Sequence, residues 1–71
     1  MDIRIIIKLH ELISTERTGN PKACAEKLNI SERTIYNYVS FMRRELKAPI
    51  IFNVIKGCYC YDGECKLRFR G

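Results

Sequence analysis

NPKACAEKLNISERTIYNYVSFMRREL, residues 20–46, reads as a short helix, a tight turn and a longer helix. Asn20 is an N-cap residue, and Pro21 follows at the first helical position, where a missing N–H costs nothing. The short helix ends near Leu28, with Cys24, Ala25 and Leu28 turned inward. The small side chain of Ala25 lets two helices approach closely. Asn29 sits where a left-handed residue ends a helix, a conformation that Asn tolerates better than most residues. Ile30 then plugs the space between the two helices, and Ser31 caps the second. The apolar ladder of that helix is Ile35, Val39, Met42 and Leu46, with Tyr38 beside it. Its opposite face carries Arg33, Asn37, Ser40 and Arg44, flanked by Glu32, Tyr36 and Arg43. Pro49 forbids continuation and the residue before a proline avoids helix, so the helix ends before Ala48.

On the N-terminal side, Asp2–Glu16 has the one-face pattern of an amphipathic helix, with Ile5, Ile6, Leu9, Leu12 and Ile13 recurring at helical spacing. Ile3 and Ile7 widen the stripe, and Asp2 is placed to cap it. Thr18-Gly19-Asn20 breaks the segment. His10, between Leu9 and Glu11, falls near the polar side and reads as a surface histidine.

On the C-terminal side the chain turns strand-like. Ile50-Ile51-Phe52 pairs with Cys58-Tyr59-Cys60-Tyr61 across the loop Asn53–Gly57. Asp62-Gly63 is a two-residue hairpin signal, and the alternation of Cys65, Leu67 and Phe69 with Lys66, Arg68 and Arg70 predicts a third short strand. The expected fold is one domain over residues 1–71, mainly α with a small β-hairpin.

Composition narrows the function classes. A 71-residue chain buries only about 60% of its unfolded surface, so its core is thin and a walled catalytic pocket is hard to build. One histidine, no Gly-rich phosphate loop and no nucleophile–base or carboxylate pair argue against an enzyme. Thirteen Lys+Arg against eight Asp+Glu leave a net charge of +5, which favours a polyanionic partner. No signal peptide and no membrane span is expected, and a cytoplasmic chain with reduced thiols is the default. Cys58-x-Cys60-x4-Cys65 lacks a paired C-x2-C knuckle, and Cys24 reads as a small apolar core residue, so no metal or other cofactor is expected.

Helix, short helix, turn, longer helix and hairpin together resemble the winged helix-turn-helix domains of DeoR-type and biotin-operon-repressor-type regulators. The resemblance covers about Arg4–Tyr61. It is carried by Ala25-Glu26-Lys27-Leu28-Asn29-Ile30-Ser31, by Arg33-Thr34-Ile35 and by the wing close Gly57-Cys58-Tyr59-Cys60-Tyr61. It implies that the helix opened by Ser31 is a recognition helix whose Glu32, Arg33, Thr34, Tyr36 and Asn37 face double-stranded DNA. The chain departs from the group at the wing tip, where Val54-Ile55 replaces the usual polar residues and leaves Lys56 as the only charge.

The chemistry of that face is specific. Arg33 can donate two hydrogen bonds to guanine O6 and N7, and Asn37 can pair with adenine N6 and N7. Tyr36 can contact a phosphate or a thymine methyl. Glu32 would repel phosphate but can accept from cytosine N4. Ser40 lies further along the same face. Lys22, Lys27, Arg43, Arg44 and Lys56 are the candidates for phosphate contact. Sequence-specific binding of duplex DNA by a small transcriptional regulator is therefore expected. The rival expectation is a protein-interaction module, or an accessory DNA-binding factor for a recombinase or polymerase, with a homodimer or protein partner contacting Val54 and Ile55.

Overall fold

The computed structural model describes residues 1–62. The expected turn at Asp62-Gly63 and the third strand over Cys65–Phe69 lie wholly or partly outside that range. Three helices precede a two-stranded antiparallel hairpin: α1 (Ile3–Ser14), α2 (Pro21–Leu28), α3 (Glu32–Glu45), β1 (Ile50–Asn53) and β2 (Cys58–Tyr61). The architecture is mainly α with a small β-hairpin, as expected.

Each helix start has its own side-chain cap. Asp2 accepts from the Arg4 N–H, Asn20 from Ala23 and Ser31 from Thr34, so one otherwise orphan donor is satisfied at each start. The helix ends share a second device. Asn29 is left-handed, with φ +56°, and the chain closes behind it through Asn29 N–H to Glu26 O and Ile30 N–H to Ala25 O. Behind α1 the same pair of bonds runs from Glu16 and Arg17 to Ile13 and Leu12, with Glu16 at φ +56°. α1 is two residues shorter at its C-terminal end than the Asp2–Glu16 segment read from periodicity, because these bonds take over there.

The core joins Ile6, Leu9 and Ile13 of α1, Cys24 and Ala25 of α2, and Ile35, Tyr38, Val39 and Met42 of α3 to Ala48, Ile50 and Tyr59. Leu9, Ile13, Cys24, Ile35 and Met42 are completely buried. Leu28, Ile30 and Leu46 pack against its margin. Ile3 and Ile7 do not widen the buried stripe: they stay exposed, because α1 lays only its Ile6–Leu9–Ile13 side on its neighbours.

The hairpin is fastened to the rest of the chain by polar side-chain contacts. Thr18, expected only as a turn residue, is fully buried. Its Oγ1 accepts from the Tyr59 N–H at 2.8 Å and donates to Gly19 O at 3.0 Å. On the other strand, Arg43 Nε donates to Ile50 O at 2.8 Å. His10 is not the surface residue expected: it is half-buried, and its Nδ1 lies 2.6 Å from the Tyr61 hydroxyl. The residues 51 positions apart meet because α1 packs on β2. Tyr38 uses its hydroxyl to accept from the Asp2 N–H at 3.0 Å, tying α3 to the start of α1.

Two outcomes follow from these fastenings. Thr18→Val keeps the side-chain shape but leaves the Tyr59 N–H buried without its acceptor. It should cost about 1–3 kcal/mol, read as a lower urea midpoint, whereas Thr18→Ser should retain most of the stability. Burial pushes the His10 imidazole below its ordinary value, with Glu11 pulling weakly the other way. The unfolded chain then binds the proton more readily, so stability is fully present above about pH 6.5 and falls as pH drops through the depressed folded value. Urea midpoints taken between pH 8 and pH 5 should decline, and His10→Gln should flatten that part of the profile.

Candidate nucleic-acid interface

The turn between α2 and α3 determines which side of α3 meets water. Ile35, Tyr38, Val39 and Met42 are buried, which leaves Glu32, Arg33, Tyr36, Asn37, Ser40, Arg43 and Arg44 exposed. Of the five residues that the resemblance implies face DNA, Glu32, Arg33, Thr34, Tyr36 and Asn37, Thr34 is the one the structure engages elsewhere. It is half-buried, its N–H bonds to Ser31 Oγ at 3.1 Å, and its hydroxyl lies 2.7 Å from the same oxygen. Thr34 thus belongs to the cap that starts the helix.

The charges along α3 suit its dipole. Glu32 lies in the first turn, and Arg43 and Arg44 lie in the last. Arg33 makes no ion pair among the described residues. Arg44 Nε approaches Glu45 at 3.7 Å, an exposed pair too open to hold either side chain firmly. Arg43 spends one N–H on Ile50 O and so anchors the end of α3 to the hairpin.

The lysines divide. Lys22 is exposed in the first turn of α2. Lys27 donates through Nζ to the Arg17 carbonyl. Lys56, at the hairpin tip, donates to Glu16 Oε2 at 2.6 Å, and this hydrogen bond, reinforced by the carboxylate's charge, raises its pKa. The ammonium is charged at neutral pH and already has a carboxylate beside it.

Sequence reading missed the junction between α3 and the hairpin. Phe52 and Tyr59 are cross-strand neighbours whose rings meet edge to face, centroids 5.2 Å apart. Burial pushes the Tyr59 phenol up, with Tyr36 adding to the shift and Arg43 opposing it. Cys58, Tyr59 and Cys60 are all buried, so β2 lacks the alternation of a half-exposed strand, and no local pattern showed which helix Tyr59 would meet.

Cys24, Cys58 and Cys60 are buried free thiols, and burial raises the Cys24 pKa. Among the described residues no group of three His, Cys, Asp or Glu side chains is placed to hold a metal ion, and Cys65 lies outside them. No described helix is long and apolar enough to cross a membrane. No protein-family model matches the chain, and no curated protein or solved structure matches it at a significant level.

The α3 face depends on the Ser31 cap. Ser31→Ala should lower stability by about 0.5–2 kcal/mol. Amide exchange should quicken at Arg33 and Thr34, in the turn the cap holds, before it changes at Met42.

Proposed function

We propose that this chain binds duplex DNA as a winged helix-turn-helix protein, with α3 in the major groove and the hairpin beside it. The observation that carries the reading is the exposed Arg33–Asn37–Ser40–Arg44 side of α3, opposite the buried Ile35–Val39–Met42 ladder and presented by a three-residue turn. A net charge of +5 supplies the long-range attraction. Arg33 and Asn37, one helical turn apart, are the residue types that make bidentate bonds to guanine and adenine edges. Tyr36 and Glu32 border them on the same helix, both exposed. Arg44 and Lys22 are the cations best placed to hold phosphates, whereas Lys27, Arg43 and Lys56 first have internal partners to relinquish or share.

One domain of this size contacts only a few base pairs, so useful specificity calls for two copies or a second protein. A symmetric pair would read half-sites about 34 Å apart. Regulation of transcription is the role such binding serves in the group the chain resembles, and an intracellular location goes with it.

Titration of a randomised duplex pool across a salt series tests the proposal. Binding should be tight at low salt and should weaken linearly in log–log form, and an enriched site should emerge. Arg33→Ala should relax preference at one base pair, by about 1–3 kcal/mol, while Arg44→Ala should weaken all sequences alike and reduce the salt slope by about one. Absence of binding at low salt, or indifference to the two substitutions together, overturns it.

A further inference from the structure

We infer that the Ile3–Ile7 stripe of α1 is the docking surface for the chain's own C-terminal segment, residues 63–71. Ile3 and Ile7 are 55% and 39% exposed, one turn apart on a helix whose Ile6, Leu9 and Ile13 are buried. At about 100° per residue, His10 falls within about 60° of both, so the three form one stripe beside the buried side. None of this depends on α3 binding DNA.

The hairpin shows which way the chain is heading. Lys56 Nζ bonds to Glu16, just past the end of α1. The Tyr59 N–H bonds to Thr18 Oγ1 at 2.8 Å, in the loop behind that helix. The Tyr61 hydroxyl then meets His10 Nδ1 at 2.6 Å, well back along α1. From Lys56 to Tyr61 the chain therefore runs antiparallel to α1, from its C-terminal end toward its N-terminus. The same course holds one residue further, where the Asp62 N–H donates to Pro49 O at 2.7 Å and extends the ladder of the hairpin. Along the stripe in that direction, Ile7 comes one turn before His10, and Ile3 one turn before Ile7. A further strand laid beside β2 would instead meet an edge at which the Tyr59 N–H is already held by Thr18.

Length and pattern select the occupant. Nine residues follow Asp62. Fully extended they reach about 30 Å, and Ile3 lies only about 10 Å from His10 along the helix axis. Within them Cys65, Leu67 and Phe69 alternate with Lys66, Arg68 and Arg70. Alternate residues of an extended chain lie about 6.6 Å apart, and residues four apart on a helix lie about 6 Å apart along its axis. Two successive apolar residues of the segment can therefore meet the two isoleucines, with the three cations left at solvent. A second copy is the poorer occupant. Two partly exposed isoleucines fall well short of the roughly 800 Å² per partner that a specific interface between proteins buries. A segment of the same chain needs less area, because a short tether holds it at an effective concentration on the order of millimolar.

The test uses the full chain with isotope-labelled isoleucine and leucine methyls. In its NMR spectra the Ile3 and Ile7 methyls should show cross-peaks to the Leu67 methyls and the Phe69 ring. Ile7→Ala keeps a good helix former at an exposed position, where a substitution without a partner leaves stability nearly unchanged. Ile7→Ala and Leu67→Ala should instead each lower the folding equilibrium constant read from urea unfolding. Combined, they should cost less than the product of the two losses, with a coupling of at least about twofold. Absence of the cross-peaks, or a coupling of less than about twofold, overturns the inference. Cross-peaks that persist in a spectrum filtered for contacts between labelled and unlabelled chains overturn it in favour of a second copy.

Discussion

The reversal at Asn29-Ile30-Ser31 is the constraint on which the other features depend. In three residues the chain leaves one helix, turns and starts another, using a left-handed Asn, a half-buried Ile and a serine cap. A longer connection would let α3 rotate about its axis, and a rotation of one residue, about 100°, would carry the Ile35–Val39–Met42 ladder off the core. Because the turn is short, burial of that ladder and exposure of the Arg33–Asn37–Ser40–Arg44 side are a single fact. Ala25 is part of the same constraint: it is 4% exposed beneath α3, where a larger side chain would push the helices apart.

The hairpin depends on the helices for its place. Two four-residue strands cannot stand alone in water. Thr18 supplies an acceptor on the outer edge of β2, and Arg43 a donor on the outer edge of β1, at Ile50. Both edges of the sheet thus end in polar side-chain contacts, which blunts their tendency to pair with other chains. Phe52 and Tyr59 meet edge to face across the strands, which joins the partly exposed Phe52 to Tyr59 in the core.

What could be read from the chain, and what could not, divides by range. The caps at Asp2, Asn20 and Ser31, the left-handed Asn29, the ladder of α3 and the pairing of Ile50–Phe52 with Cys58–Tyr61 all rest on interactions between near neighbours, whose spacing is written in the sequence. Thr18, His10 and Lys27 find partners 41, 51 and 10 positions away. No periodicity marks such pairs, so a buried threonine looked like a turn residue and a half-buried histidine like a surface one. Thr34 shows the same difficulty at close range: the cap and the partner-facing side overlap at the start of α3, and geometry alone separates them.

A thin core also alters how the positive charge is spent. In a larger domain, apolar burial alone would hold the hairpin, and the cations would be free for a ligand. Here Arg43, Lys27 and Lys56 each reach an internal oxygen that bridges separate parts of the chain: α3 to β1, α2 to the loop after α1, and the tip to the end of α1. Of the cations on α2, α3 and the hairpin tip, these three are therefore already engaged within the chain. Stability in this chain thus draws on basic residues that the proposed recognition would also use.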